Sequence, residues 1–191
     1  MSFLSDPPET DPGVESLYDA DRERLGYVAN YTRALAWRPA AVAAWVALNG
    51  AVKSTMDLRR YELATLAAAR RLGSRYCSLA HGAVLRDRFY DAETVARIAT
   101  DHADAGLSPA DAAVMDFAER VAADPNGITA AEVDVLRGHG LSDAEILDVA
   151  LTAAARCFFS TVIAAVGARP DAAFETALEP ELRRALTESL D

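Results

Sequence analysis

Cys77 and His81 stand four residues apart, with Ser74 three residues before the cysteine, in the segment Gly73-Ser74-Arg75-Tyr76-Cys77-Ser78-Leu79-Ala80-His81. On a helix, side chains four apart share a face with Cβ atoms about 5–6 Å from each other, so a thiol and an imidazole so placed come within reach. Ser74 is a favoured N-cap type, which would put Cys77 in the first helical turn. The unpaired amides and the positive end of the helix dipole there favour a thiolate. A base and a positive potential converging on one sulfur are the ingredients of a reactive cysteine.

Glu62, fifteen residues before Cys77, is the second informative group. At 100° per residue its helical neighbours are Leu58, Thr65, Leu66 and Ala69, while Arg59, Arg60, Arg70 and Arg71 project elsewhere. A carboxylate inside an apolar stripe must be paired or protonated, because an unpaired buried charge costs several kcal/mol. Along a single rod, Glu62 and Cys77 would be about 22 Å apart. The Gly73-Ser74 break permits a turn that folds one helix onto the next. Glu62 could then orient His81, and His81 could take the proton of Cys77.

Plainer readings compete at each position. A buried cysteine commonly serves as a small hydrophobe, which is the reading for Cys157 in Arg156-Cys157-Phe158-Phe159, where no local base is present. A Cys/His pair four apart could be half of a zinc site, but no second ligand pair occurs at suitable spacing, so neither a metal nor another cofactor is expected. His102 and His139 lie in polar stretches and read as solvated. Tyr27, Tyr31, Trp37 and Trp45 read as core or subunit-contact aromatics rather than as a binding box.

The elements that must position these groups are helical throughout. Asp57 can cap a helix running to Leu72 with Gly73 as its stop, and a second helix follows from Ser74 to about Phe89. Asp91 starts a short helix closing near Asp101. Ser108-Pro109 opens the next, and Asp124-Pro125-Asn126-Gly127 ends it. Thr129-x-x-Glu132 and Ser142-x-x-Glu145 are capping boxes for two more. The last of these is apolar nearly all round and reads as central. Upstream, Arg38-Pro39 separates a helix ending near Trp37 from one over 40–52. No segment alternates as a strand would, so the expected fold is all-α. Residues 1–13, rich in proline and acid, read as a flexible arm, and 14–191 as one helical domain.

The bulk composition narrows the function. A net charge of −10 opposes sequence-independent nucleic-acid binding and polybasic membrane contact. Two cysteines eighty positions apart form no disulfide framework, and the first residues lack a signal-peptide pattern, so a cytoplasmic protein is expected. The apolar run over 149–168 approaches membrane-span length, but Arg156, with Thr152, Ser160 and Thr161, marks a buried core helix instead.

Glu62, Ser74 twelve residues on, Cys77 fifteen on and His81 nineteen on together resemble the signature of the alkyl hydroperoxidase D / carboxymuconolactone decarboxylase family: a glutamate, eleven residues, Cys-x-x-Cys, three residues and a histidine. The match is most similar to the peroxidase-related branch. It extends through Gly26-Tyr27-Val28-Ala29-Asn30-Tyr31 and from Gly140 to Asp171, covering roughly residues 14 to 175. The resemblance implies an AhpD-like helical bundle that assembles as a homo-oligomer, a trimer or hexamer. It also implies a peroxide-attacking cysteine at Cys77, with His81 and Glu62 as its proton relay. Two departures are visible. Ser74 replaces the first cysteine of the pair, so the local disulfide cannot form. Tyr76 stands where two-cysteine members often carry a further relay histidine.

The leading expectation is therefore a thiol-dependent peroxidase-like oxidoreductase acting on a hydroperoxide, with Cys77, His81, Glu62, Ser74 and Tyr76 at its site. Without a thiol at position 74, a sulfenate on Cys77 would be resolved by Cys157, another subunit or an external thiol reductant. Two alternatives remain open at this point: a decarboxylase-type acid/base enzyme that does not use the cysteine, and a non-catalytic thiol redox sensor.

Overall fold

Cap residues and glycine stops account for most of the helix boundaries. The structure, a computed structural model, describes residues 2–188, so the outermost ends of the arm and of the helical domain, Met1 and residues 189–191, lie outside the described residues. These residues form eleven α-helices and no strand: α1 (Pro12–Leu25), α2 (Asn30–Leu35), α3 (Pro39–Ser54), α4 (Leu58–Arg71), α5 (Arg75–Arg88), α6 (Ala92–Thr100), α7 (Pro109–Ala123), α8 (Ala130–Gly138), α9 (Asp143–Ala165), α10 (Ala173–Ala177) and α11 (Pro180–Thr187). Asp57, Asp91 and Ser108 accept backbone N–H bonds at the starts of α4, α6 and α7. Both capping boxes close, Thr129 with Glu132 and Ser142 with Glu145. Each such cap contributes about 1 kcal/mol by satisfying an orphan donor.

Helix α4 is the hub, packed against α5, α7 and α9. Every residue from Tyr61 to Ala69 is buried, and the run Ala67-Ala68-Ala69 lets neighbouring backbones approach. Its arginines leave this face as expected. Arg59 and Arg60 reach the buried Asp111 of α7 at 2.9 and 3.2 Å, so the carboxylate that enters the core there arrives paired. Helix α11 seats on α5 because residue 82 is glycine: a Cβ at that position would lie 2.5 Å from the terminal carbons of Leu186.

The long α9 is central on one side only. Ile146, Val149, Ala153, Arg156, Ser160 and Ile163 are buried, while Leu147, Leu151 and Phe158 on the opposite side are 57%, 41% and 56% exposed. The helix is long and apolar enough to cross a membrane by length and composition, but half of its apolar stretch is packed inside the protein.

Residues 2–11 carry no helix, and α1 begins at Pro12, inside the span read as the arm. The segment lies against the body: Phe3 N–H donates to the Val166 carbonyl at 2.8 Å, the Trp37 indole to the Ser5 carbonyl at 2.8 Å, and Arg33 meets Asp6 at 2.8 Å. His102, expected in solvent, is instead largely covered and bonded to Asp116 at 2.8 Å.

Candidate active site

The turn between α4 and α5 places the cysteine. Gly73 takes a left-handed conformation with φ 67°, the Gly73 N–H returns to the Arg70 carbonyl, and the Ser74 N–H returns to the Ala69 carbonyl at 2.9 Å. This pair of bonds is a Schellman stop, and it brings α5 back along α4 directly. Its consequence corrects one expectation. Ser74 occupies the N-cap position of α5, but its side chain makes no cap bond. Ser74 does not line the cavity described below.

Folding α5 against α4 joins two of the predicted groups. His81 Nδ1 lies 2.6 Å from Glu62 Oε2, and Lys53 of α3 reaches the other carboxylate oxygen at 3.3 Å. Glu62 is 1% exposed. Burial alone would raise its carboxyl, but the His81 ring and the Lys53 ammonium outweigh that and hold it below the ordinary carboxylate range. Burial, aided by the nearby Arg156 cation, holds His81 below its ordinary value against the pull of Glu62. At neutral pH the pair is thus a carboxylate accepting from a neutral imidazole through Nδ1–H, which leaves Nε2 free to take a proton.

Cys77 is 2% exposed, and its hydrogen-bond partners are not those the spacing suggests. Arg156 Nη1 lies 3.4 Å and the Ser160 hydroxyl 3.3 Å from Sγ, both donated by α9. Among the described residues no hydrogen bond links Cys77 to His81; the two share the wall of one cavity. Sequence reasoning missed Arg156 and Ser160 as site residues. The available signal was a lone cation in the middle of the longest apolar run, which must face some partner once that run is buried.

Tyr76 also lines the cavity, but its hydroxyl is bonded to the buried Asp171. Burial and that carboxylate push its phenol far above the ordinary tyrosine value, so it is a fixed neutral donor that ties α5 to the C-terminal segment. Cys157, one residue from Arg156, is rotated about 100° around α9 and does not line the cavity. Burial pushes its thiol up.

The cavity has a volume of about 710 Å³, within the range of small-molecule sites. Trp45 stacks on Phe159 with ring centroids 5.1 Å apart, and Tyr31 meets Phe159 edge-on at 5.4 Å. Tyr27, Tyr31 and Trp45, read from sequence as core or contact aromatics, are thus walls of this cavity, while Trp37 is 41% exposed outside it.

Residues 39–120 match the model of the carboxymuconolactone decarboxylase family. A comparison of the sequence with curated proteins finds no match. Among solved structures, an uncharacterized peroxidase-related protein from Ralstonia eutropha JMP134, described as an alkylhydroperoxidase AhpD core, superposes with a TM-score of 0.82 at 24% identity over 91% of this chain and 94% of that one. An uncharacterized peroxidase-related protein from Silicibacter sp. TM1040 gives 0.80 at 24% identity, over 91% and 93%. The debrominase Bmp8, as a cysteine-to-alanine variant in complex with 2,3,4-tribromopyrrole, gives 0.74 at 16% identity, over 91% and 94%. The fold is AhpD-like, and the family match falls on the segment carrying Glu62, Cys77 and His81.

Proposed function

We propose that this AhpD-like chain, with the carboxymuconolactone decarboxylase family segment at its centre, is a thiol-dependent peroxidase that uses Cys77 as its single peroxide-reducing sulfur. The observation that carries the reading is the joining of a buried carboxylate–imidazole pair and a hydrogen-bonded thiol in one apolar cavity. The thiol proton leaves for Nε2 of His81, and the sulfur attacks the distal oxygen of a hydroperoxide. The O–O bond breaks, its electron pair departs with the alkoxide, and His81 delivers a proton to that oxygen. Cys77 becomes a sulfenic acid and the hydroperoxide an alcohol. Glu62 holds the ring in the tautomer that keeps Nε2 available, and Lys53 keeps Glu62 charged.

Two equivalents of an external thiol then return the sulfenic acid to the thiol, releasing water and a disulfide. Cys157 is turned away from the cavity, which supports an external reductant over an internal partner. The setting is the cytoplasm. The family resemblance also implies assembly with further copies, and the exposed apolar side of α9 supports that surface as the one they share.

The test is peroxide consumption with a thiol reductant. The native protein turns over an organic hydroperoxide, and Cys77→Ser loses that turnover to background. Oxidation of Cys77 without turnover under any thiol would instead select a redox sensor. A second reading is favoured by the family match itself: the Glu62–His81 pair could serve decarboxylase-type acid/base chemistry on a lactone acid. Activity on such a substrate retained in Cys77→Ser would establish it.

A further inference from the structure

Among the described residues, Arg156 is a buried cation with no carboxylate to answer it. It is 5% exposed, sits on the inward face of α9, and among the described residues makes a single side-chain hydrogen bond, from Nη1 to Cys77 Sγ. Its Nε is buried without a partner, and the guanidinium otherwise lies 5.3 Å from the Phe159 ring centroid. An uncompensated guanidinium in such a place is costly unless an anion accompanies it.

The charged groups around the cavity leave one candidate. Glu62 is taken by His81 and Lys53. Asp171 accepts the Tyr76 hydroxyl and the Asn30 N–H. Asp21 accepts from Arg24 and from the Ala29 N–H. Tyr76 and Tyr27 are held neutral by burial and by Asp171, and Tyr31 accepts from Arg24. Among the described residues lining the cavity, every carboxylate is committed elsewhere, and the sulfur of Cys77 is the remaining atom that can carry a negative charge beside Arg156.

We infer that Arg156 is a catalytic residue, the counter-ion that holds Cys77 as a thiolate, with the Ser160 hydroxyl as the second donor to the sulfur. This rests on the peroxidase reading for its catalytic meaning, although the ionisation itself does not. The step is a deprotonation: the S–H electron pair stays on sulfur, and the proton passes to Nε2 of His81 and from there to solvent. The division of labour follows from the geometry. Arg156 stabilises the anion it touches, and the Glu62–His81 pair moves protons without touching it. The missing serine cap and the absent Cys77–His81 bond are both made good from α9.

The experiment is the pH dependence of alkylation of Cys77 by iodoacetamide, followed by mass spectrometry of the peptide that contains it. In the native protein Cys77 alkylates at mildly acid pH faster than a free thiol such as glutathione, once denaturation-matched accessibility is taken into account with a neutral probe of similar size. In Arg156→Met the profile moves to higher pH, and the rate on the acid side falls about tenfold or more. Arg156→Lys restores most of it, which a purely structural role would not produce. An unchanged profile in a folded Arg156→Met overturns the inference. If that variant does not fold, the native profile decides: one that coincides with the free thiol overturns it as well. A shifted profile without peroxide turnover leaves the inference standing and removes the peroxidase reading. Turnover with no effect of Arg156→Met on the profile does the reverse.

Discussion

At the residue scale, the Glu62–His81 pair and the Cys77 sulfur were legible to different degrees. Glu62 announced itself because a carboxylate in an apolar stripe demands a partner, and the turn at Gly73 made His81 that partner. The hydrogen-bond partners of Cys77 were not legible, since local spacing offered His81 while the docking of α9 supplies Arg156 and Ser160. Contacts made across the bundle leave no period in the sequence. Both relay groups are shifted downward, His81 from an ordinary 6.5, and both shifts act in one direction. Above its ordinary value each contributes its full share of stability. As the pH falls, the unfolded chain takes up protons first, and that stability is lost. The thermal midpoint should therefore drop between about pH 7 and about pH 5, and drop less in His81→Asn. An equal drop in both proteins would place the acid sensitivity elsewhere. Glu62→Gln, which keeps the shape but not the charge, should lower kcat/KM for a hydroperoxide about 10- to 100-fold. Steady-state kinetics across pH checks this, with a move of the acid-side limb set by His81 to lower pH as the accompanying sign.

At the element scale, the cap chemistry at Asp57, Asp91, Ser108, Thr129 and Ser142 was readable because each cap is a local event of four residues. Ser74 broke the pattern: as the residue after Gly73 it completes the stop of α4 through its N–H, while its hydroxyl makes no cap bond to α5. Helix α9, apolar nearly all round in sequence, was read as central, whereas which of its sides is buried is decided by the neighbours the chain supplies. The close approach of α11 to α5 is a further tertiary fact that the sequence did not show. Gly82→Ala forces a methyl group into the Leu186 side chain, and overpacking of this kind costs about 1–3 kcal/mol. Chemical denaturation should show that loss, and Gly82→Ala combined with Leu186→Ala should be less destabilised than the two single losses added. Simple additivity would mean the two side chains do not meet.

At the scale of the whole molecule, the all-α architecture followed from the absence of strand patterning and from the density of helix signals, and the AhpD-like fold agrees with it. One exposed apolar surface is the stripe of Leu147, Leu151 and Phe158, continued through the ring contact of Phe158 with Trp45 to Val46 on α3. Single exposed apolar residues are common, and a stripe of them is the surface on which the proposed assembly rests. Under the proposed assembly, sedimentation of the native protein gives an oligomer and Leu151→Asp gives a smaller species. A native monomer would remove that part of the proposal without touching the site.

The most direct measurement of the central claim is trapping of the oxidised sulfur in the native protein. One equivalent of an organic hydroperoxide followed by a sulfenate-specific reagent should place a single adduct on Cys77, in near-stoichiometric yield, and none on Cys157. Recovery of an unmodified Cys77 with the peroxide still present in solution would contradict the account at its root.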